Sequence, residues 1–293
     1  MDAPALLISY ADLIETELKR CLAPEPGVPA VLCEAMAYSA CGGGKRFRGG
    51  LAMGACVAVG GRAEQALPAA CALEMVHAFS LIHDDLPCMD DSDLRRGRPT
   101  CHRVYGEALA LLAGDGLLVR GVQILCADKL LAPEATLSVV RILLAALGIG
   151  GMVGGQVMDM AAEHTCPSLE ELRALDAAKT GALIRASARI GAIAGGGGLL
   201  EQDALDAYAA SLGLAFQIVD DLLDVTGDAA ALGKPAGADS KNGKATYPGL
   251  LGLDRARELA DREIERAIEQ LAPFGERGAF LAELARYVGA RDR

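Results

Sequence analysis

Tryptophan is absent from this 293-residue chain, and aromatic residues make up only 4% of it. Runs of valine and isoleucine bounded by turn residues, which are typical of β-strands, are also missing. Alanine, leucine and glycine dominate instead. The shortage of strand formers argues against a β protein and predicts an all-α fold.

Basic residues are outnumbered by acidic ones, and the formal net charge is −11. Nucleic-acid binding needs a basic face, so the charge argues against a nucleic-acid partner. The nine cysteines are scattered and form no Cys-x-x-Cys motif. Their odd number and their apolar surroundings predict reduced thiols in a cytoplasmic protein.

The N-terminus lacks the basic segment of a signal peptide. Charges or glycine clusters also interrupt every apolar run before about 18 residues, the length that a membrane-spanning helix needs. We therefore expect no transmembrane segment.

Apolar residues recur with helical periodicity, and glycine- or proline-rich stretches separate the periodic segments. The predicted helices are residues 5–21, 30–40, 50–59, 64–83, 102–112, 117–131, 133–160, 169–193, 201–224, 247–271 and 276–287. No internal repeat and no change in composition marks a second domain. We expect one large helical-bundle domain over residues 1–293, with a central cavity.

Two aspartate clusters follow apolar helical stretches in different halves of the chain. They are Asp84, Asp85 and Asp90, and Asp220, Asp221 and Asp224. Carboxylates one helical turn apart repel each other, and the neighbouring residues are apolar, so we expect the counter-charge to be external. Mg²⁺ prefers hard oxygen ligands and is usually held by one or two carboxylates plus substrate phosphates. The clusters therefore predict a Mg²⁺-diphosphate enzyme.

Basic residues lie next to both clusters. Arg95 and Arg96 follow the first, and guanidinium groups match phosphate oxygens bidentately. Gln217 shares a helix face with the second cluster, and lysines follow it in a glycine-rich segment, at Lys234, Lys241 and Lys244. A solvated mixed-charge loop and an exposed helix end are the alternative interpretations.

Lys45 and Arg48 follow three glycines at a predicted helix start, where backbone N–H groups favour an anion. The Walker pattern is absent. His77 lies two turns before Asp84, on nearly the same face, although a lone histidine in an apolar helix usually has a core role. Glu74 and His77 form one Glu-x-x-His half-site of a di-iron bundle, but no other histidine completes it, which disfavours that interpretation.

Lys179 and Thr180 lie inside an apolar helix, where a lysine is costly to bury without an anionic partner. Two further polar residues, Gln156 and Asp159, lie one turn apart beyond a glycine-rich stretch. The sequence leaves their roles open.

Taken in order, the motifs resemble those of the trans-polyprenyl diphosphate synthase family, and among its members the bacterial farnesyl diphosphate synthases. The motifs are Gly-Gly-Lys-Arg-x-Arg, His-Ala-Phe-Ser-Leu-Ile-His-Asp-Asp-Leu-Pro, Asp-Leu-Arg-Arg-Gly, Lys-Thr-Gly-Ala-Leu-Ile, Phe-Gln-x-x-Asp-Asp-x-x-Asp and Gly-Lys-x-Thr-Tyr-Pro. They cover nearly the whole chain. One position departs from the family, which usually has proline after the arginine matching Arg48, whereas Gly49 stands here.

The resemblance implies an isoprenoid-synthase helical bundle, a homodimer and three Mg²⁺ ions with substrate bound. The implied reaction condenses isopentenyl diphosphate with dimethylallyl and geranyl diphosphate to give farnesyl diphosphate. The implied metal ligands are Asp84, Asp85, Asp90, Asp220, Asp221 and Asp224. The implied isopentenyl diphosphate site comprises Lys45, Arg48, His77 and Arg96. The implied allylic site comprises Arg95, Lys179, Thr180, Gln217, Lys234 and Lys244, of which Arg95, Lys179, Thr180 and Gln217 act on the reacting groups.

Phe79 precedes Asp84 by five residues, roughly 7.5 Å along a helix, and Ser80 by one turn. In the family an aromatic residue at the position of Phe79 accompanies a fifteen-carbon product. A geranylgeranyl or geranyl diphosphate synthase is the nearest alternative. A terpene cyclase would not need the Lys45 and Arg48 site or the second aspartate cluster, and a catalytically silent subunit would have lost a cluster.

Overall fold

The computed structural model describes residues 3–162, 165, 167–226 and 245–290. Its α-helices are α1 (Ala3–Cys21), α2 (Ala30–Ala40), α3 (Phe47–Ala58), α4 (Leu67–Asp84), α5 (Cys101–Tyr105), α6 (Glu107–Ala127), α7 (Pro133–Leu147), α8 (Met152–Ala162), α9 (Leu169–Asp176), α10 (Ala182–Ala194), α11 (Leu199–Thr226), α12 (Tyr247–Leu251), α13 (Leu253–Glu269) and α14 (Ala279–Gly289). Short 3₁₀ turns cover Ala63–Ala66 and Ala272–Gly278, and a π-helical turn, Ala177–Gly181, joins α9 to α10. The all-α prediction is confirmed.

Several predicted helices are divided or extended in the structure. The predicted helix 102–112 breaks at Gly106 (φ 83°), after which α6 runs on without interruption to Ala127. The predicted helix 247–271 breaks at Gly252 (φ 81°). Both glycines adopt the left-handed region that side-chain-bearing residues rarely occupy, so the chain turns there although the apolar periodicity continues.

The structure also contains a two-stranded hairpin that sequence analysis did not predict, formed by β1 (Leu94–Arg95) and β2 (Arg98–Pro99). The two residues between the strands, Arg96 (φ 55°) and Gly97 (φ 73°), both have positive φ. This is the geometry of the tight primed turns that join antiparallel strands. The turn separates Arg95 from Arg96, so that the two arginines meet different partners.

Helix packing places α4 against α6 and α3, α10 between α3 and α11, and α11 against α13. Glycine permits the closest of these crossings. A Cβ added at Gly191 of α10 would lie 2.1 Å from the carbonyl oxygen of Ala52 in α3. The helices α4 and α11 carry the two aspartate clusters at their C-terminal ends.

The eight cysteines that the structure describes, all except Cys166, are free thiols, which confirms that part of the prediction. The interrupting charges and glycines predict no membrane span, yet by length and composition alone three helical stretches are apolar enough to cross a membrane. Ala63–Asp84, Glu107–Ala127 and Pro133–Ala162 meet those criteria, because alanine and leucine outweigh the interrupting glycines. The first is 67% buried inside the fold but the other two only 33%, so α6 and residues 133–162 expose apolar surface.

Candidate active site

A cavity of about 440 Å³ lies between α4, α6, α8 and the π-helical turn. Apolar side chains such as Phe79 and Leu111 line most of it. Asp84, Lys179 and Thr180 supply polar groups to the same wall. The cavity therefore combines an apolar interior with charged groups of both signs, as binding sites for amphiphilic small molecules do.

The first acidic cluster adjoins this cavity. Burial raises the pKa of the Asp84 carboxyl above its ordinary value. The nearby carboxylates of Asp90 and Asp85 act in the same direction, while the cations Lys179 and Arg95 oppose the increase. Like charges this close favour binding of a cation.

Asp85 already has an internal counter-charge. The guanidinium of Arg95 donates from Nε to Asp85 Oδ2 at 2.8 Å and from Nη2 to Oδ1 at 2.7 Å. The expectation of a purely external counter-charge is therefore wrong for this carboxylate. The hairpin turn brings Arg95 back onto the end of α4, and sequence spacing alone does not reveal that return.

Arginines line a second, smaller cavity that shares His77 with the first. They are Arg46, Arg95, Arg96 and Arg98. Burial and then the surrounding guanidinium groups, with Arg48 first, hold the pKa of His77 well below its ordinary value. The imidazole is therefore neutral at physiological pH. The concentration of positive charge around it suits an anionic ligand.

Arg48 faces the larger cavity beside His77. Its Nε atom is enclosed and donates no hydrogen bond within the part of the chain that the structure describes. Burial lowers the pKa of Arg48, with Arg96 acting in the same direction and Glu74 opposing it. An enclosed donor of this kind is stabilised when an anion accepts from it.

Glu74 organises the start of α3. Its Oε2 lies 3.5 Å from Arg46 Nη1, and its Oε1 accepts the backbone N–H of Gly49 at 3.0 Å. A proline at position 49 has no N–H to donate, so the glycine makes a bond that the usual family residue would lose. Because Glu74 is engaged in this way, its carboxylate does not serve a di-iron half-site.

Arg46 is a site residue that the sequence did not predict. It is buried, adopts a left-handed conformation (φ 48°) just before α3, and pairs with both Glu15 and Glu74. Its position within the Gly-Gly-Lys-Arg string was the only available signal. Lys45 differs, because it is exposed and its Nζ lies 5.1 Å from the ring centroid of Tyr287 in α14.

Lys179 lies in the π-helical turn, a distortion that often marks functional sites. Its Nζ donates to Asp159 Oδ2 at 2.5 Å, which supplies the anionic partner that a buried lysine requires. Gly155 of α8 permits this approach, since a Cβ there would lie 2.3 Å from the backbone nitrogen of Lys179. The open question about Asp159 is thus answered, while Gln156 lines the cavity nearby.

Asp176, which sequence analysis also missed, lies one turn before Lys179 and is buried. Burial raises its pKa to about 6, and nearby Asp159 adds to the increase. The hydroxyl of Tyr247 and the side chain of Gln217 interact with the carboxyl and oppose that increase. Asp176 therefore connects Gln217 of α11 to the turn that carries Lys179.

The second acidic cluster ends α11. Asp220 and Asp221 are half-buried, and Asp224 is buried. The Oδ2 of Asp221 accepts the backbone N–H of Tyr247 at 2.9 Å, which ties this cluster to the start of α12. Lys234, Lys241 and Lys244 lie outside the described residues.

Among the described residues, no three histidine, cysteine, aspartate or glutamate side chains converge as a preformed metal cage. The donors at both helix ends are nevertheless carboxylates, the ligand type that Mg²⁺ prefers. Around Asp84 they also repel one another, which adds to the rise in its pKa that burial causes. The residues present therefore fit Mg²⁺ held by a few carboxylates from each cluster together with ligand phosphates.

Phe79 lies in the cavity wall, only 8% exposed, one helical turn before His83. The two rings meet edge to face with centroids 4.8 Å apart. His83 is held in turn by the carbonyl oxygen of Leu111, 3.1 Å from Nε2. Ser80 also lines the cavity, and its hydroxyl donates to the carbonyl of His77. Phe79 and His83 therefore form one aromatic wall against α6.

Comparison with known proteins identifies the family. The sequence matches the polyprenyl synthetase family over residues 29–276. It is 46% identical over 281 residues to a farnesyl diphosphate synthase of Geobacillus stearothermophilus, covering 95% of this chain and 94% of that protein. It is 47% identical over 269 residues to the chloroplastic geranylgeranyl pyrophosphate synthase 11 of Arabidopsis thaliana, covering 90% and 75%.

Solved structures of similar proteins support the same family. An apo FPP/GFPP synthase of Zymomonas mobilis superposes with a TM-score of 0.88 at 39% identity, covering 98% of each chain. A geranylgeranyl pyrophosphate synthetase of Pyrococcus horikoshii gives the same TM-score at 30% identity, covering 97% of this chain and 98% of that one. The fold is that of the isoprenoid synthase helical bundle, and the chain belongs to the polyprenyl synthetase family.

Proposed function

We propose that this prenyl diphosphate synthase condenses isopentenyl diphosphate with dimethylallyl and then geranyl diphosphate, to give (2E,6E)-farnesyl diphosphate. The observation that carries the proposed chain length is Phe79 in the cavity wall below Asp84. Its ring occupies space that a growing chain would otherwise enter. The cavity is apolar around Phe79 and charged near Asp84 and Lys179, which suits a prenyl diphosphate bound with its tail inward.

In this proposal, two groups of cationic side chains bind the two diphosphates. Arg48 and Arg96, with Lys45 at the outer edge, bind isopentenyl diphosphate beside neutral His77. Lys179 and Arg95 bind the allylic diphosphate. Arg95 then exchanges part of its bidentate contact with Asp85 for phosphate oxygens, which match its planar donor geometry.

The reaction begins when the C1–O bond of the allylic diphosphate breaks and both electrons leave with the oxygen. The double bond of isopentenyl diphosphate attacks the resulting cation, and a carbon–carbon bond forms. A proton then passes to the released diphosphate. The apolar cavity excludes water that would capture the cation, while Lys179, with Arg95, stabilises the leaving charge. Thr180 and Gln217 contribute dipoles near the cation.

Mg²⁺ would neutralise charge on the leaving diphosphate. The residues that would hold it are Asp84, Asp85 and Asp90 on one side and Asp220, Asp221 and Asp224 on the other. The mutual repulsion of the carboxylates around Asp84 favours this binding. Lys234 and Lys244 belong to the proposed allylic site by sequence resemblance alone.

The second candidate is a geranylgeranyl diphosphate synthase. The plant enzyme of that name is as similar to this chain as the bacterial farnesyl diphosphate synthase is. Product analysis with dimethylallyl, geranyl and farnesyl diphosphate as separate primers distinguishes the two. We expect fifteen-carbon product from the first two primers and little extension of the third. Efficient extension of farnesyl diphosphate to twenty carbons would favour the second candidate.

We also propose a homodimer formed through α6 and α7. Their exposed apolar residues repeat at helical spacing, with Leu112 and Val119 on α6 and Leu137 and Leu144 on α7. Such a face on a soluble protein marks an interaction surface. Sedimentation should give a dimer mass for the wild type and a monomer for Val119→Glu/Leu144→Glu. A monomeric wild type would contradict the proposal.

A further inference from the structure

A groove of about 710 Å³ lies between α7, α10 and α11, and it shares no lining residue with the active-site cavity. Arg141 of α7 and Arg185 and Arg189 of α10 line it, together with Gln202 and Asp206 of α11. Three guanidinium groups therefore face one groove in a chain whose net charge is −11. Their convergence is not explained by the active-site chemistry.

Only one of these arginines is neutralised inside the groove. Arg185 donates to Asp206 from Nε at 3.0 Å and from Nη2 at 2.5 Å. Arg141 and Arg189 form no ion pair with any described residue, and the Nε of Arg189 is enclosed without a hydrogen-bond acceptor among them. Two positive charges and an unsatisfied donor therefore remain for a ligand.

One end of the groove, at Ala182, lies close in sequence to Thr180 of the active-site cavity, whereas its Arg189 end is distant. Arg189 follows Lys179 by ten residues, roughly 15 Å along the helix, and Gln202 precedes Asp220 by 18 residues, roughly 27 Å along α11. A diphosphate bound at the Arg189 end of the groove would therefore lie away from the substrates. The rest of the groove is apolar, with Ile142 and Ile193 in its wall, and Leu199 at its edge is 78% exposed.

We propose that this groove is a second ligand site, which binds the diphosphate of a prenyl diphosphate at Arg141 and Arg189 and its apolar chain along Ile193 and Leu199. Guanidinium groups favour phosphate oxygens, and a chain packed against Ile193 and Leu199 would remove apolar surface from water. The proposal rests on the prenyl diphosphate chemistry of the proposed function but not on which chain length the active site makes.

The absence of tryptophan allows a direct test. Leu199→Trp introduces the only tryptophan of the chain at the edge of the groove. Its fluorescence is titrated with farnesyl diphosphate in EDTA, and separately with inorganic diphosphate. We expect saturable quenching or a blue shift with farnesyl diphosphate, and weaker binding of inorganic diphosphate because it lacks the apolar chain.

A matched pair of variants completes the test. Arg141→Gln/Arg189→Gln in the Leu199→Trp background should bind farnesyl diphosphate at least about tenfold more weakly, because charge-assisted hydrogen bonds are lost. Arg262→Gln/Arg266→Gln, which removes two exposed arginines of α13, should bind normally. Turnover should be unchanged in both, so failure of this site is separable from failure of the proposed function. The proposal would be overturned if the Arg141→Gln/Arg189→Gln variant titrated like its Leu199→Trp parent, or if farnesyl diphosphate gave no fluorescence response at all. Equal affinity for inorganic diphosphate and farnesyl diphosphate would exclude the apolar part of the site.

Discussion

The Nζ of Lys179 lies 2.5 Å from Oδ2 of Asp159, across the interface between α8 and the π-helical turn. Both side chains are largely shielded from solvent, at 26% and 17% exposure. The carboxylate therefore fixes where the ammonium group points within the cavity wall.

Replacement of Asp159 by asparagine should leave Lys179 charged but poorly positioned. We expect kcat/KM for geranyl diphosphate to fall about tenfold, while KM for isopentenyl diphosphate changes little, because Lys179 acts on the allylic substrate. Steady-state kinetics with each substrate varied measures the difference. Asp206→Asn, which removes an aspartate–arginine pair far from the cavity, is the control. Equal losses for both substrates would show that Asp159 supports the fold and not Lys179.

The sequence predicted that Lys179 needs an anion, but it did not identify Asp159 as the partner. The pairing depends on Gly155, which lets α8 approach the π-helical turn closely enough for the contact. Neither that approach nor the π-helical turn follows from apolar periodicity. Local composition thus predicted the requirement, and tertiary packing determined how it is met.

The same difference between local sequence and tertiary packing explains which other features are predictable. The helices are predictable because their apolar periodicity is strong. The breaks at Gly106 and Gly252 are not, because the positive φ of a glycine does not disturb that periodicity. Asp176 was missed because an acidic residue beside a helix turn usually faces solvent. Arg46 was missed because its partner Glu15 lies on α1, far away in sequence.

Asp176 should make the free energy of unfolding depend on pH. Its pKa is raised to about 6 by burial, so the folded state holds this proton more tightly than the unfolded state. The free energy of unfolding should therefore decrease as pH rises from about 4 to about 6, by roughly 2–3 kcal/mol from this group. Denaturant unfolding in EDTA across that range measures it. Asp176→Asn should remove this part of the decrease.

The control is Asp203→Asn, which changes an exposed carboxylate on the same helix as Gln217. It should keep the pH dependence of the wild type. If the Asp176→Asn difference from wild type stayed constant between pH 4 and 6, the carboxyl would not titrate as the structure implies.

Arg48 and Lys45 should differ in importance, although the sequence places both in one anion site. Arg48 lies beside His77, and its enclosed Nε has no hydrogen-bond acceptor among the described residues, whereas Lys45 is exposed over Tyr287. We expect Arg48→Gln to raise KM for isopentenyl diphosphate at least about tenfold, because hydrogen bonds to charged groups are strong when shielded from water. Lys45→Gln should raise it only a few-fold. A larger effect from Lys45 would reverse this assignment.

Asp84→Ala and Asp220→Ala test the proposed metal ligands. Each removes a half-buried carboxylate at a helix end, so far-UV circular dichroism and Tm should change little. We expect kcat at saturating Mg²⁺ to fall about 100-fold or more, since preorganised charges that act on the leaving group contribute on this scale. Mg²⁺ with inorganic diphosphate should also stabilise each variant less than the wild type. Near-native kcat in either variant would remove that residue from the metal site.

We expect the Phe79 ring to limit the product to fifteen carbons. Ser80→Phe, one residue further along α4, should crowd the same cavity and favour a ten-carbon product. The most direct test is Phe79→Ala, which opens a gap that neighbouring side chains refill only in part. Chromatography of the dephosphorylated products should then show chains of twenty carbons or more, with farnesyl diphosphate accepted as a primer. An unchanged fifteen-carbon product from a folded, active Phe79→Ala enzyme would show that the Phe79 ring does not set the chain length.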